Sequence, residues 1–148
     1  VLRHHPSRAA GDASAVYVVH LAPDRTAATH QVEIRSSERL TALAPTPDGT
    51  RLLTASSAGA VSHWDPRTGA LLASVTDPDG PVHGLSVHPD GTWIATAGAM
   101  LRVRDAASGR TVAGARAETP FTSCAWLPDG RGLVAVGERG LYAYEFRA

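Results

Sequence analysis

The stretch LTALAPTPDGTRLLTASSAGAVSHWDPRTGALLASV, Leu40 to Val75, decides how this chain folds. Its Pro47-Asp48-Gly49 is a turn with a mechanism: proline presets φ, aspartate accepts hydrogen bonds from nearby backbone, and glycine tolerates positive φ. The segment after the turn, TRLLTAS, is short and apolar and reads as a buried strand. Ala60 to Asp65 (AVSHWD) alternates with period two, the pattern of a strand with two unlike faces. A second turn follows at Pro66-Arg67-Thr68-Gly69, and then a fourth strand, Ala70 to Val75. The whole stretch is four short strands joined by tight turns, with no sustained helical periodicity.

Working outward, the same unit recurs. LTALAPTPDG (Leu40 to Gly49) aligns without gaps with VHGLSVHPDG (Val82 to Gly91) and FTSCAWLPDG (Phe121 to Gly130). The strands after the turns align as well (TRLLTAS, TWIATAG, RGLVAVG), as do the third strands AVSHWD, MLRVRD and GLYAYE. Asp48, Asp90 and Asp129 therefore mark a period of about 40 residues, the scale of a solenoid or propeller repeat. Leu40, Leu43 and Pro45 correspond to Val82, Leu85 and Val87 and to Phe121, Cys124 and Trp126, and these positions are expected to pack between neighbouring sheets. Upstream, Ala15 to Leu21 resembles a third strand and Ala28 to Ile34 a fourth. The last unit stops just past Glu145, without a fourth strand. The expected count is two, four, four and three strands.

Composition narrows the function classes. The chain has 148 residues with 14 basic and 14 acidic side chains, so its formal net charge is zero. Such a balance gives no general pull toward nucleic acid or an anionic membrane, and no apolar run is long enough to span a bilayer. All basic residues are arginine, which removes lysine Schiff bases, phosphate-loop lysines and lysine general bases. One cysteine, Cys124, allows neither an internal disulfide nor a thiolate metal cage. A cytoplasmic location is the expectation, and no cofactor is called for.

The repeats resemble the WD-repeat β-propeller family, in its divergent bacterial form. The match is best from Leu40 to Val75: the Pro-Asp-Gly turn, a small-residue second strand, Trp64-Asp65 closing the third strand, and Thr68-Gly69 in the next turn. The structural motif positions carried over are Asp48, Gly49, Trp64, Asp65, Asp90, Gly91, Asp105, Asp129 and Gly130. The family's Gly-His pair before the first strand is missing. Its turn aspartate is replaced by Ala58 and Gly59, and Trp-Asp becomes Arg104-Asp105 and Tyr144-Glu145. The resemblance therefore implies an incomplete version of the family's His–Ser–Trp–Asp hydrogen-bond network.

It also implies an all-β partial propeller of four-stranded antiparallel blades. Residues 1–14 are expected as a flexible N-terminal segment, 15–34 as the last strands of a preceding blade, and 35–148 as three blades, the last without its outer strand. Propellers use four to eight blades, so open faces must be covered. Either the chain is the C-terminal part of a longer propeller, or two copies close a six-bladed ring by lending Ala28 to Ile34 to each other.

The function implied is a non-catalytic scaffold in a bacterial regulatory protein, with a protein or peptide partner and with neither nucleic acid nor membrane. The alternative is an enzyme or small-ligand propeller using the central channel. Partner contacts are expected on the rim made by loops entering the first strands (Glu38, Arg39, Pro81, Glu118, Thr119, Pro120) and turns between second and third strands (Ser57, Met100, Glu138, Arg139). Other chemistry reads as structural. Ser62 and His63 point to opposite faces of a strand, which is wrong for nucleophile and base. His4-His5 lacks a third metal ligand at sensible spacing. Asp77-Pro78-Asp79-Gly80 lacks the rest of a calcium loop. Arg102 and Arg104 share one strand face, where they are solvated, pair locally or meet an acidic partner.

Overall fold

In the computed structural model, which describes residues 3–5, 14–24 and 27–147, the chain folds into four antiparallel sheets. The first contains β1 (Arg3–His5), β2 (Ser14–Leu21) and β3 (Ala28–Ser36). The second contains β4 (Leu40–Pro45), β5 (Leu52–Ser56), β6 (Ala60–Trp64) and β7 (Leu71–Thr76). The third contains β8 (Val82–Val87), β9 (Trp93–Gly98), β10 (Leu101–Asp105) and β11 (Thr111–Ala115). The fourth contains β12 (Phe121–Trp126), β13 (Gly132–Gly137) and β14 (Gly140–Glu145). Each strand pairs with its neighbour in sequence, so every sheet is a meander, one propeller blade. The arc of blades is not closed, and the described residues contain no helix.

The Pro-Asp-Gly turns do what their residues dictate. In each, the glycine N–H donates to the carbonyl three residues earlier: Gly49 to Thr46, Gly91 to His88 and Gly130 to Leu127. The glycines sit at φ of 70°, 81° and 70°, where a Cβ is strained. The aspartates cap the backbone two residues on, accepting from the N–H of Thr50, Thr92 and Arg131. Asp65 and Asp105 serve the next turns in the same way, accepting from the backbone of Arg67 and Ser108.

Blades stack through apolar faces. Val16, Ile34, Leu52 and Trp64 join the first two, with Leu40 and Leu43 against them. Leu53, Ala55, Val61, Val82, Leu85 and Ile94 join the second and third. Phe121, Cys124, Trp126, Leu101 and Val103 join the third and fourth. The first strands approach closely, since a Cβ on Gly84 of β8 would lie 2.8 Å from Cα of Ser123 on β12.

Two expectations need correction. Residues 3–5, inside the segment expected to be flexible, form β1 against β2, so the described residues give the first blade three strands and hold fourteen in all. The rest of that segment, and the side chains of His4 and His5, lie outside the described residues. Pro45, expected between sheets, is exposed, and its neighbour Ala44 is buried instead. The strand is offset after Leu40, where the ladder shifts register, and it ends at Pro45. Within this single chain, Ala28 to Ile34 pairs with β2, as part of a strand that runs from Ala28 to Ser36.

Candidate interaction rim

In a meander, alternate turns fall at opposite ends of the sheet. The loops from an outer strand to the next blade's first strand (37–39, 77–81, 116–120) therefore share one rim with the turns between second and third strands (57–59, 99–100, 138–139). The backbone ties them together. Ser57 N–H donates to the Arg39 carbonyl at 2.9 Å, and Asp77 N–H to the Gly59 carbonyl at 2.8 Å. Gly59 cannot be another residue without rearrangement, because at φ 90° its Cβ would meet the Gly80 carbonyl oxygen at 2.6 Å. Pro81 lies over Gly98 and Pro120 over Gly137 in the same way, with carbonyl oxygens 2.5 and 3.1 Å from where a Cβ would stand.

Each residue expected on this rim is found there. Arg39, Ser57, Pro81, Glu118, Pro120, Glu138 and Arg139 are exposed, while Glu38, Met100 and Thr119 are half-buried. Glu38 N–H is held by Ser36 Oγ at 3.1 Å, Thr119 Oγ1 is buried without a partner, and Glu118 pairs with Arg139. The two sets of segments thus meet blade by blade: Arg39 with Ser57, Glu118 with Arg139.

Sequence reasoning named the residues of the rim's main anchor without joining them. Arg102 and Arg104 on β10 face the second blade and are buried, 9% and 5% exposed. Asp77 stands between them, taking Arg102 Nη1 on Oδ1 at 2.5 Å and Arg104 Nη2 on Oδ2 at 2.7 Å. Arg102 also pairs with Asp79 and donates to Met100 Sδ at 3.3 Å. The Arg102 guanidinium holds the Asp79 carboxyl below the usual range. Of the alternatives weighed for the two arginines, local pairing is the one formed. The Asp77–Gly80 turn spends its carboxylates on guanidinium groups. The signal was present as acidic residues two apart in a loop and arginines two apart on a later strand, but nothing local joins them.

Other singled-out residues are structural. Trp64 Nε1 donates to Thr54 Oγ1 at 2.9 Å inside the core, one surviving bond of the network expected to be incomplete. Ser62 Oγ shares a hydrogen bond with Ser74 Oγ, away from buried His63. Cys124 is buried, which pushes its thiol up to about 12, and it donates to the Ala95 carbonyl at 3.6 Å. Among the described residues no group of three or more metal-ligating side chains converges, and no helix is long and apolar enough to cross a membrane.

The WD domain, G-beta repeat model matches residues 28–65 and 69–100. Over those two stretches the chain carries WD repeats. WD repeats generally mediate protein–protein interaction as scaffolds. No curated protein matches the chain. Among solved structures, U3-55K matches at 16% identity with a TM-score of 0.69, covering 74% of this chain and 37% of that one. The RRP9 WD40 repeats match at 16% identity and 0.69, covering 74% and 36%. Kuenenia stuttgartiensis hydrazine synthase matches at 17% identity and 0.67, covering 72% and 32%. Identities this low establish the fold alone. The chain spans about a third of the length of these structures.

Proposed function

We propose that this WD-repeat chain is a non-catalytic docking scaffold whose partner is a protein or peptide bound on the rim built from residues 37–39, 57–59, 77–81, 99–100, 116–120 and 138–139. The observation that carries this reading is the way the rim is held. Its loops are tied to its turns by backbone bonds, and the exposed side chains stand on a buried Asp–Arg anchor. A surface ordered before binding loses less entropy when a partner arrives. Mixed charges at Arg39, Glu118, Glu138 and Arg139 suit a polar interface better than a nucleic-acid one.

The reading includes the chain's acting as part of a longer propeller in a bacterial regulatory protein. The supporting observation is a hollow of about 380 Å³ lined by Val16, Leu40, Thr41, Ala42 and Leu43, beside a first blade that has no innermost strand among the described residues. An added strand there would complete the burial of Leu40, Ala42 and Leu43, which are half-buried.

Site-specific photo-crosslinking in the full-length protein tests the rim. A benzophenone side chain at Arg39, Ser57 or Glu138 should trap one and the same protein. The same probe at Ser108 or Asp129, on the opposite rim, should not. Equal yields from both rims would sink the proposal.

A further inference from the structure

We infer that the cleft between the second and third blades, on the opposite rim, is a binding site for a small carboxylate with an apolar body, gripped by Arg51 and His63. The cleft has a volume of about 540 Å³, in the range of small-molecule sites. Its floor is Leu53 and Ile94, both buried, with Val87 and Ala106 beside them. It lies between two sheets, so it is not the central channel, and it does not depend on the docking rim described above.

The ligand class follows from which hydrogen-bonding groups are already used. Asp48 and Asp90 line the cleft, but their Oδ1 atoms are occupied. Asp48 accepts from Thr46 Oγ1 at 2.6 Å, Thr50 N at 3.0 Å and Thr50 Oγ1 at 2.8 Å. Asp90 accepts from Thr92 N at 2.9 Å and Thr92 Oγ1 at 2.5 Å, and pairs with His88 Nδ1 at 2.6 Å. Apart from the second oxygens of these two exposed carboxylates, the unused side chains are Arg51 and His63. The Arg51 side chain makes no hydrogen bond or ion pair among the described residues. His63 is 5% exposed, and its Nδ1 is buried without a partner. A buried polar atom left unpaired is uncommon and needs a reason.

Burial, helped by the Arg51 charge, lowers the His63 pKa and keeps the ring neutral, with one N–H to give. An arginine fork beside an imidazole N–H is a carboxylate cradle. The apolar floor takes the rest of the ligand. Asp48 and Asp90 flank the mouth, and they disfavour ligands carrying a second negative charge.

Isovalerate and its uncharged counterpart isovaleramide are the probes. They are titrated into the full-length protein with labelled histidine rings, and the His63 resonance is followed. Isovalerate should shift that resonance saturably, with isovaleramide about tenfold weaker or worse. Arg51→Gln should weaken isovalerate by a similar factor while leaving isovaleramide binding about as it was. Ala107→Phe, which narrows the cleft without touching either donor, should weaken both probes. Equal binding of acid and amide, an Arg51→Gln protein that binds as before, or a His63 signal that never moves would each overturn the assignment.

Discussion

The second and third blades put different chemistry at one register position. In the second, Trp64 stands across from Leu52; in the third, Arg104 stands across from Ile94. Both side chains face the preceding blade and both are buried, 8% and 5% exposed. Trp64 needs little there. Its ring packs with Val16, Ile34 and Leu52, and its one polar atom reaches Thr54 on the adjoining strand. Arg104 needs a great deal. Thr96 holds the position of Thr54, yet Thr96 Oγ1 and Arg104 Nε are both buried without partners. The guanidinium instead reaches Asp77 in the loop of the blade before it. The indole satisfies its one polar atom within its own blade, whereas the buried charge must import its partner from the preceding one. The charged solution therefore welds a loop to a strand, and that loop is part of the docking rim.

The sharpest way to break this comparison is to remove the shared carboxylate. Asp77→Ala leaves two buried guanidinium groups short of a partner, and should cost about 3–5 kcal/mol in denaturant unfolding. Replacing all three with apolar residues (Asp77→Leu, Arg102→Leu, Arg104→Leu) should restore most of that loss, because buried ion pairs seldom outperform packed apolar side chains. If Asp77→Ala cost under about 1 kcal/mol, the network would be no anchor.

On the aromatic side, Trp64→Phe removes the Thr54 bond and some volume. It should cost about 1–2 kcal/mol by the same measurement. A loss as large as that of Asp77→Ala would mean the two interfaces are not different in kind.

Acid should separate the interfaces more gently. Asp48 is held down to about 2, by the Thr46 hydroxyl first and then the Thr50 backbone and hydroxyl. Asp65, Asp90 and Asp105 are lowered by turn hydrogen bonds, from the Arg67 backbone, the Thr92 hydroxyl and the Ser108 hydroxyl respectively. A carboxyl lowered by folding adds stability above its unfolded pKa and loses it as pH falls through the folded value. Both blades should therefore weaken from about pH 4 downward. Because Asp79 is also lowered, by Arg102, hydrogen exchange should show β10 opening before β6 on acidification. Simultaneous opening would count against a special acid dependence at the charged interface.

The smallest effect belongs to the exposed pair Glu118–Arg139, whose side chains are 74% and 67% accessible. Arg139→Ala should change stability by less than about 0.5 kcal/mol. In the crosslinking assay it should still alter partner capture, which distinguishes a contact from a structural brace.

Much of this architecture was legible in the chain because its signals are local. Pro47-Asp48-Gly49 and its two copies close their turns with atoms only a few residues apart, so spacing alone announced the repeats. The positions facing neighbouring sheets could be read from alternation at Leu43, Leu85 and Phe121. Alternation failed at Pro45, where the strand ends, and it gave no sign of the short strand at Arg3–His5. The rim residues were foreseeable because turns alternate ends.

What the sequence by itself determined is the blade: four short strands, the turns between them, and the period at which they recur. These depend on backbone preferences and on partners within one turn. Only the tertiary structure decided what lies between blades. The partners of Arg102 are 25 and 23 residues upstream, and the walls of the Arg51–His63 cleft come from two separate repeats. Which charge meets which is set by how one twisted sheet stacks on the next. A side chain's cost of burial, and so its role, is fixed only after that stacking brings a distant partner into reach.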